Sequence, residues 1–332
     1  MSFTTEQLAT YVNGELHGSL DASCSGAEID TRQPIAGKVF FALQGEKADG
    51  HDYVEQAVSN GCSAVVVERF CDVEVPIVIV DDARRALFRL AEARRKALDF
   101  ESVMAVTGSV GKTTTKDILG CLLGNTAAIS RKSFNNDLGV PLTILDGESA
   151  KYLVTEIGAN NVGEIGPLAK LVRPDIAILT SIEKAHLEGF GNKETVLQEK
   201  VKLLSAVHQN GYVIIPDTID VSGFSFDATI IRVGKSKSAD VSIHTGTDDC
   251  GFATLEMNGE KVTLALLGEH NALNAALAIV AASRACNETT SSQWLQLASL
   301  ASAPEGRLQK VEVGKITFID DSYNANPASM RA

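Results

Sequence analysis

The sequence predicts an α/β protein in which a small N-terminal α/β unit precedes a larger unit built on a mostly parallel sheet. Three observations lead to this fold class. Short apolar runs rich in β-branched residues recur along the chain, as buried strands do. Amphipathic or alanine-rich segments of helical length separate most of these runs. Strands that alternate with helices pair in parallel and are covered by helices on both faces.

The first hundred residues contain the smaller unit. Its predicted strands are short and apolar, and they cover residues 39–43, 64–67 and 77–80. A helix is predicted over 53–59, because the Asn-Gly pair at 60–61 is a common C-terminal stop. A second helix is predicted over 83–98. Its polar face carries Arg and Lys, and acidic residues at 81–82 lie where the helix dipole favours them.

The larger unit begins near Ser102. A buried strand at 103–106 leads into a turn at 107–115 and a helix over 116–123. The alternation continues with predicted strands at 152–157, 176–180 and 212–215 and helices at 165–171 and 193–207. A strand-rich segment and two further elements are predicted after residue 228, namely strands 229–233, 241–244, 253–257 and 262–266, helix 271–286 and a strand pair within 307–320.

The charge balance limits the classes of partner. The 332 residues include 30 Lys and Arg against 42 Asp and Glu, which gives a net charge of −12. Proteins that bind nucleic acid usually carry a clustered basic face, so we expect no nucleic-acid partner. A phosphorylated small molecule remains compatible with this charge, because a few local donors are enough to bind it.

The N-terminal residues and the cysteines favour a cytoplasmic location. Residues 1–16 lack a basic segment followed by an apolar one, so we expect no signal peptide. No apolar run reaches the roughly 18 residues that span a bilayer, so we expect no membrane insertion. The six scattered cysteines include no C-x-x-C pair, and we expect them to be free thiols in a reducing compartment.

A glycine-containing segment between a predicted strand and a predicted helix is typical of a phosphate-binding loop. Its backbone N–H groups can converge on phosphate oxygens, and the helix dipole adds positive charge. Lys112 would reach the β- and γ-phosphates, and Thr113 would offer its hydroxyl to Mg²⁺. The loop is a variant, because Val106 stands where the usual pattern has glycine. The residues predicted to bind the nucleotide here are Gly108, Ser109, Val110, Gly111, Lys112, Thr113 and Thr114.

Three further side chains are candidate partners of this loop. Glu156 lies at the C-terminal end of a strand, the edge where open α/β sheets bind ligands, and is predicted to bind Mg²⁺. A solvated glutamate at a strand end is the alternative. His186 follows the next strand, although histidine is a less usual Mg²⁺ ligand than oxygen. Lys200 lies in a polar helix, and its local sequence predicts only an ordinary exposed lysine.

Together these motifs resemble the Mur ligases, which are ATP-dependent amide-forming enzymes of peptidoglycan precursor synthesis. The resemblance covers essentially the whole chain. DDSYNANP combined with TGSVGKTTTK is more specific than the loop alone, which folylpolyglutamate synthases share. The matching segments are IDTRQPIAGKVFFALQGEKADGHDY (29–53), TGSVGKTTTK (107–116), FNNDLGVPLT (134–143), TEIGANNVGEI (155–165), AHLEGFG (185–191), GEHNALNAALA (268–278), PEGR (304–307) and DDSYNANPASMRA (320–332).

The resemblance implies an activity and its cofactors. It implies that UDP-N-acetylmuramoyl-tripeptide and D-alanyl-D-alanine are joined with ATP and Mg²⁺, through an acyl phosphate, by a monomer. The third residue of the tripeptide stays open between lysine and diaminopimelate. Glu156 and His186 match magnesium ligands. Lys200 matches a lysine that is carbamylated and then helps to hold a second Mg²⁺. The residues implied to be catalytic are Lys112, His186, Lys200 and Asn136.

The resemblance also implies positions around the nucleotide and the UDP-substrate. Asn271 and Asn274 would lie near adenine, Arg307 near the nucleotide phosphates and Asp321 at the ribose. Asn135 and Asn136 fall in a segment that lines the phosphate and acceptor site, and Asn135 is assigned to the substrate. The residues implied to hold the uridine nucleotide are Asp30, Thr31, Arg32, Gly45, Asp49 and His51.

Three domains follow from the resemblance. They are a UDP-muramoyl-peptide-binding domain at 1–100, an ATP-binding domain at 101–307 and the start of a dinucleotide-fold-like C-terminal domain at 308–332. Because the chain ends within the first element of the third domain, we expect truncation there, binding of ATP and UDP-substrate, and poor ligation. Two alternatives remain open. One is a related ligase that acts on another carboxylate, such as a folate or a different muramoyl-peptide, and the other is a non-catalytic nucleotide-binding module.

Overall fold

A computed structural model describes residues 2–183, 190–286, 290–314 and 316–324 of the chain. Its contacts divide the chain into two compact units, each discontinuous in sequence. The first comprises Met1–Asp99 and Asp137–Ala150, and the second comprises Phe100–Asn136 and Lys151–Ala332. The three-domain division expected above stays a prediction.

The elements follow one another in the order that the alternating pattern predicts. The strands are β1 (Phe3–Thr4), β2 (Glu15–His17), β3 (Ser23–Cys24), β4 (Ala27–Glu28), β5 (Val39–Phe41), β6 (Ala64–Val67), β7 (Ile77–Ile79), β8 (Ser102–Thr107), β9 (Ala127–Ile129), β10 (Tyr152–Glu156), β11 (Ile176–Leu179), β12 (Tyr212–Pro216), β13 (Thr229–Gly234), β14 (Val241–Thr247), β15 (Phe252–Met257), β16 (Glu260–Leu267), β17 (Gln309–Val313) and β18 (Ile316–Asp320). The α-helices are α1 (Thr5–Val12), α2 (Val54–Ser59), α3 (Ala83–Ala97), α4 (Lys112–Leu123), α5 (Gly139–Leu145), α6 (Ile165–Val172), α7 (Lys193–Leu204), α8 (His270–Ala285) and α9 (Ser291–Ser299).

The first unit is built on a five-stranded sheet with the order β2-β7-β6-β5-β4. The last four strands are parallel to one another, and β2 is antiparallel at the edge. Phe40, Val65 and Val67 are buried together on one face. The two predicted helices and three predicted strands of this unit are confirmed, with ends that shift by one or two residues. Helix α3 begins after Asp82, whose carboxylate accepts a hydrogen bond from the Arg85 N–H at 2.8 Å.

The second unit is built on a nine-stranded sheet with the order β16-β15-β14-β13-β12-β11-β8-β10-β9. Strands β8 to β14 are parallel to one another, and β14, β15 and β16 form an antiparallel meander. Strand β8 lies between β10 and β11. Glu156 pairs in register with Val106, and Leu179 pairs with Thr107. The C-terminal ends of these three strands therefore meet at one edge of the sheet.

Helices cover the parallel part of this sheet. Helices α4 and α8 pack over one face, where Met104, Val106 and Ile178 belong to a single apolar cluster. Helix α7 contacts β8 and β11, and α6 packs against α7. Since the apolar cluster under α4 and α8 includes no residue of α7, we infer that α7 covers the opposite face.

Some elements differ from the sequence prediction. Helix α4 begins at Lys112, four residues before the predicted start, directly after Gly111. The segment Gly139–Leu145 forms a wholly buried helix that packs on α3 in the first unit, whereas no element was predicted there. None of the helices in the described ranges has the length and apolarity needed to cross a bilayer.

Candidate functional site

The predicted phosphate-binding loop connects β8 to α4 and has a backbone that only glycine accommodates easily. Gly108 has φ +154° and Gly111 has φ +84°. A Cβ atom at Gly108 would collide with the Thr180 hydroxyl, and one at Gly111 would lie 2.5 Å from Asn274 Oδ1. Both glycines therefore permit close approach of neighbouring side chains as well as an unusual backbone.

The residues that follow β11 hold this loop in place. The Thr180 hydroxyl donates its single hydrogen to the Val110 carbonyl, and the Thr107 carbonyl lies 3.3 Å from the same hydroxyl oxygen. The Val110 N–H donates to Ser181 Oγ at 2.9 Å, and the Ser109 N–H donates to the Ser181 carbonyl at 3.0 Å. Sequence analysis did not identify Thr180 or Ser181. The available signal was their place immediately after a strand that neighbours the loop.

Replacing Gly108 with alanine is expected to weaken nucleotide binding by about tenfold or more, since the new methyl group would displace the Thr180 hydroxyl and open the loop. Calorimetric titration with ADP measures this change. Gly223→Ala is the matched control, because a Cβ there meets no atom within 4 Å and the backbone angle is ordinary. Equal ADP affinity in the Gly108 and Gly223 variants would contradict the prediction.

Two lysine amines converge on one carbonyl oxygen of the loop. Lys112 Nζ donates to the Gly108 carbonyl at 2.9 Å and to the Ser109 carbonyl at 3.3 Å. Lys200 Nζ donates to the same Gly108 carbonyl at 3.0 Å. Lys200 is only 5% exposed, so the expectation of an ordinary exposed lysine is wrong. Its helix, α7, contacts the sheet beside the loop, and this contact carries the lysine inward.

This arrangement lowers the pKa of both amines. Burial and, to a smaller extent, the neighbouring charge of Lys112 together lower the pKa of Lys200 to about 7, while Glu199 opposes the shift. Burial also lowers the pKa of Lys112, with a smaller contribution from Arg307 in the same direction and an opposing one from Glu156. Lys200 is therefore an amine that is partly neutral near pH 7 and so able to react as a nucleophile.

Glu156 ends β10 beside the loop and is 1% exposed, which contradicts the alternative of a solvated strand-end glutamate. Its Oε2 accepts a hydrogen bond from the Thr113 hydroxyl at 2.8 Å. Its Oε1 accepts one from Asn135 Nδ2 at 2.8 Å, and its N–H donates to Ser130 Oγ at 3.0 Å. In the described part of the chain, both donors to the carboxylate are therefore uncharged.

The residues at this edge fit a magnesium ion. A buried carboxylate and a neighbouring hydroxyl, Glu156 and Thr113, are hard oxygen donors of the kind that Mg²⁺ prefers. The hydroxyl of Thr107, at the end of β8, is also buried and has no hydrogen-bond partner within the described ranges. A polar group left unpaired beside a phosphate-binding loop is compatible with a ligand that completes the site. The predicted ligand His186 lies outside the described residues.

The residues expected near adenine lie against the same loop. Asn271 and Asn274 are buried in the first two turns of α8. Asn271 Nδ2 donates to the Leu267 carbonyl at 2.7 Å, and Asn274 Nδ2 donates to Asn271 Oδ1 at 2.9 Å. Asn274 Oδ1 lies close to Gly111. This pair therefore links the meander, the helix and the loop.

The residues expected at the phosphates and the ribose come from the end of the described chain. The guanidinium of Arg307 stacks on the Tyr323 ring at 4.2 Å, and its charge reaches Lys112. Asp321 is exposed, and its Oδ1 accepts a hydrogen bond from the Leu308 N–H at 3.2 Å. The contacts of both residues with a nucleotide stay predictions.

The residues predicted to hold the uridine nucleotide are all in the first unit. Arg32 and Asp30 form an ion pair at 2.8 Å. The Thr31 hydroxyl donates to Gln56 Oε1 at 2.9 Å, and the Gly45 N–H donates to the Ala48 carbonyl at 2.9 Å in a tight turn. These contacts shape the surface of the unit, and the substrate roles stay predictions.

The ring of His51 is fully used inside the first unit. Its Nε2 accepts a hydrogen bond from the Glu68 N–H at 2.9 Å, and its Nδ1 lies 2.7 Å from Asp49 Oδ1. Arg69 donates to the other oxygen of Asp49 at 2.9 Å. His51 and Arg69 hold the pKa of the Asp49 carboxyl well below its usual range. With these contacts the side chains of His51 and Asp49 stabilise the turn after residue 45. Few of their hydrogen-bonding atoms are left for a ligand.

Comparisons with known proteins point to one family. Residues 106–282 match the Mur ligase middle domain, and residues 24–113 match the catalytic domain of the Mur ligase family. The UDP-N-acetylmuramoyl-tripeptide–D-alanyl-D-alanine ligase of Haemophilus influenzae is 37% identical over 347 aligned residues, which cover 100% of this chain and 75% of that protein.

Two solved structures extend the similarity to three dimensions. MurF from Acinetobacter baumannii matches with a TM-score of 0.84 at 33% identity, and the match covers 100% of this chain and 75% of that one. The MurF ligase from Thermotoga maritima in complex with ADP matches with a TM-score of 0.73 at 27% identity, over 92% of this chain and 73% of that one.

Proposed function

Because this chain belongs to the Mur ligase family, we propose that it joins D-alanyl-D-alanine to UDP-N-acetylmuramoyl-tripeptide with hydrolysis of ATP to ADP and phosphate. The observation that carries the proposal is the convergence of Lys112, Lys200 and the buried carboxylate of Glu156 on one phosphate loop. These are groups that phosphoryl transfer requires. The similarity to named ligases over the whole chain selects the substrates.

The proposed chemistry explains why these residues are needed. A carboxylate is a poor acylating agent, and transfer of the γ-phosphoryl group to it forms an acyl phosphate with a good leaving group. The amine of D-alanyl-D-alanine then attacks the carbonyl carbon, the amide bond forms, the amine loses a proton and phosphate leaves. Negative charge spreads over the transferred oxygens, and preorganised donors stabilise it. We assign this role to the Lys112 ammonium and to the N–H groups at the start of α4, because the N–H groups of Ser109 and Val110 donate to Ser181.

Magnesium is part of the proposal. Thr113 and Glu156 would hold the ion, which supplies positive charge beside the β- and γ-phosphates. Asn135 would orient the Glu156 carboxylate from the side opposite Thr113, because each residue donates to a different oxygen. His186 and Asn136 keep their expected catalytic roles within the proposal.

Carbamylation of Lys200 extends the same site. The lone pair of neutral Nζ would form a bond to the carbon of CO₂, and Nζ would lose a proton. The product is an N-linked carboxylate, so the neutral amine beside Lys112 becomes a negatively charged group. Burial and the Lys112 charge lower the pKa of Lys200 to about 7, which favours the neutral amine that this step requires. The carboxylate would then help to hold a second magnesium ion.

A cytoplasmic location belongs to the proposal as well. ATP is a substrate of the reaction, and the six cysteines are free thiols in the structure. A reducing compartment with ATP meets both conditions.

Ligation with defined substrates tests the function. The chain is incubated with ATP, Mg²⁺, UDP-N-acetylmuramoyl-tripeptide and D-alanyl-D-alanine, and mass spectrometry identifies the nucleotide products. A UDP-muramoyl-pentapeptide that forms only when all four components are present supports the proposal, even at low turnover. Calorimetry with the UDP-tripeptide and with a folate compares the two carboxylate classes. Folate binding without UDP-tripeptide binding would replace the proposal with the folate-ligase alternative.

A further inference from the structure

Lys116 is a buried charge in the second unit that the proposed chemistry does not use. It lies on α4 one turn after Lys112 and is 2% exposed. Its Nζ donates to the Ser130 carbonyl at 2.8 Å and to the Lys132 carbonyl at 3.0 Å, and it pairs with Asp117 Oδ1 at 2.5 Å. An ammonium has three donor hydrogens, so these three acceptors satisfy it completely.

Two of the acceptors belong to one short segment, Ser130–Asn136, which we call the strap. The strap leaves β9 and passes beside the end of β10. Lys132 within it has φ +44°, a left-handed conformation that is uncommon for lysine. The Lys116 ammonium binds the carbonyls of Lys132 and Ser130. It therefore holds the strap at the residue that has the left-handed backbone conformation.

The strap in turn surrounds Glu156. The Ser130 hydroxyl accepts the Glu156 N–H, and Asn135 Nδ2 donates to Glu156 Oε1. The Asn135 carbonyl accepts the Gly158 N–H at 2.9 Å. A Cβ at Gly158 would lie 2.9 Å from the Asn135 amide, so the strap and the end of β10 are in close contact. The position of Asn135 is therefore set by contacts at both ends of the strap.

We propose that Lys116 is a positioning residue for magnesium: it fixes the strap, and the strap fixes Asn135 and the carboxylate of Glu156. The inference rests on the proposed function, in which Glu156 binds the ion. Lys116 itself would touch neither nucleotide nor metal. Losing an outer-shell partner of a metal ligand typically lowers metal affinity about 10–100-fold.

The experiment measures magnesium dependence separately from nucleotide binding. ADP is titrated into the 332-residue chain by calorimetry, once with EDTA and then at a series of Mg²⁺ concentrations. For Lys116→Met, we expect ADP affinity in EDTA to equal that of the wild type. The Mg²⁺ concentration that gives half of the affinity gain is expected to rise about 10–100-fold. Lys116→Arg, which retains a cation and several donors, should recover part of the loss.

Lys132→Met is the matched control. Lys132 lies on the strap itself, but its side chain is 81% exposed and its ammonium pairs with exposed Glu305. Its Mg²⁺ dependence is expected to equal that of the wild type. A Lys116→Met variant that folds, as judged by circular dichroism, and that shows wild-type Mg²⁺ dependence would overturn the inference.

A second variant covers the case in which Lys116→Met does not fold. Asn135→Ala removes the last link to Glu156 and leaves Lys116 and its acceptors intact. It is expected to show the same rise in the Mg²⁺ requirement, and an unchanged requirement would overturn the inference. If the wild-type chain binds ADP without any effect of Mg²⁺, the proposed function fails and this inference fails with it. A Mg²⁺-dependent wild type with unaffected variants refutes the inference alone.

Discussion

Replacing Lys200 with alanine is expected to lower the ligation rate by about 10²–10³-fold, as removal of a group that stabilises developing charge usually does. Lys200 Nζ lies 3.0 Å from the carbonyl of Gly108, the first residue of the phosphate loop after β8. Without the lysine, no carbamate can form there, and the site loses a carboxylate that would hold magnesium. The measurement is the rate of phosphate release that depends on D-alanyl-D-alanine.

Chemical rescue separates this role from a general loss of structure. Formate or acetate can enter the space left by the Lys200 side chain and replace the missing carboxylate, so added carboxylate is expected to restore part of the rate. Lys193→Ala is the matched control, because Lys193 lies on the same helix but is exposed. Unchanged activity of Lys200→Ala would remove Lys200 from the mechanism.

The pKa of Lys200 predicts how stability depends on pH in buffer free of carbon dioxide. The folded chain has a pKa of about 7 at this amine, against 10.5 for an ordinary lysine. Between these values the unfolded chain holds a proton that the folded chain lacks, so Lys200 makes stability rise with pH across this interval. Below about pH 7 the amine is protonated in both the folded and the unfolded chain. The free energy of unfolding is then lowered by the full cost of burying the charged amine. Urea unfolding of wild type and Lys200→Met should therefore differ by an amount that changes only within this interval.

Replacing Lys112 with methionine is expected to lower kcat/KM for ATP by about 10³-fold, or about 4 kcal/mol in transition-state stabilisation. Its ammonium binds the Gly108 and Ser109 carbonyls within the loop, from which it could turn towards phosphate oxygens. The variant has a second expected effect. The charge of Lys112 lowers the pKa of Lys200, so that pKa should rise in the variant.

Two measurements test this pair of effects. Steady-state kinetics with varied ATP give kcat/KM, and uptake of carbon-13-labelled carbon dioxide, followed by NMR against pH, reports the neutral fraction of Lys200. Uptake in the Lys112 variant should move to higher pH. Lys237→Met, a change at an exposed lysine of the same unit, is the control. Wild-type kinetics in the Lys112 variant would show that the loop does not bind the phosphates as proposed.

Local pattern was sufficient for most of the fold. Apart from β9, which is only partly buried and was not predicted, the parallel strands from β5 to β12 are apolar runs bounded by polar residues, and burial on both faces makes such runs easy to recognise. Helices α1 and α9 were also not predicted, although capping boxes at Thr4 and Thr290 mark where they begin. The other elements that were missed lack a local signal. Strands β1 to β4 have two or three residues each, and α5 has seven residues without a polar face. Their structure depends on distant partners, as when α5 packs on α3.

The residues of the site also fall into two groups: those that local sequence features predict and those that only the tertiary structure shows. Lys112, Thr113 and Glu156 could be predicted, because a loop between a strand and a helix, and an acid at the end of a neighbouring strand, are local features. The only signal for Thr180 was its place after a strand that neighbours the loop, and Lys116 carried no local mark of its role in holding the strap. Each acts through a hydrogen bond to a backbone carbonyl that is 14 or more residues away in sequence.

The sequence by itself determined the α/β class, the order of the main elements, the phosphate loop and membership in a family. These depend on residue types within short windows and on matching segments. Only the tertiary structure decided that Lys200 is buried beside Lys112 at the carbonyl of Gly108, 92 residues before it in the chain. The physical reason is that charge and solvation depend on distance in space. A lysine on a polar helix becomes a low-pKa amine only when the helix packs on the sheet and places that amine beside another positive charge.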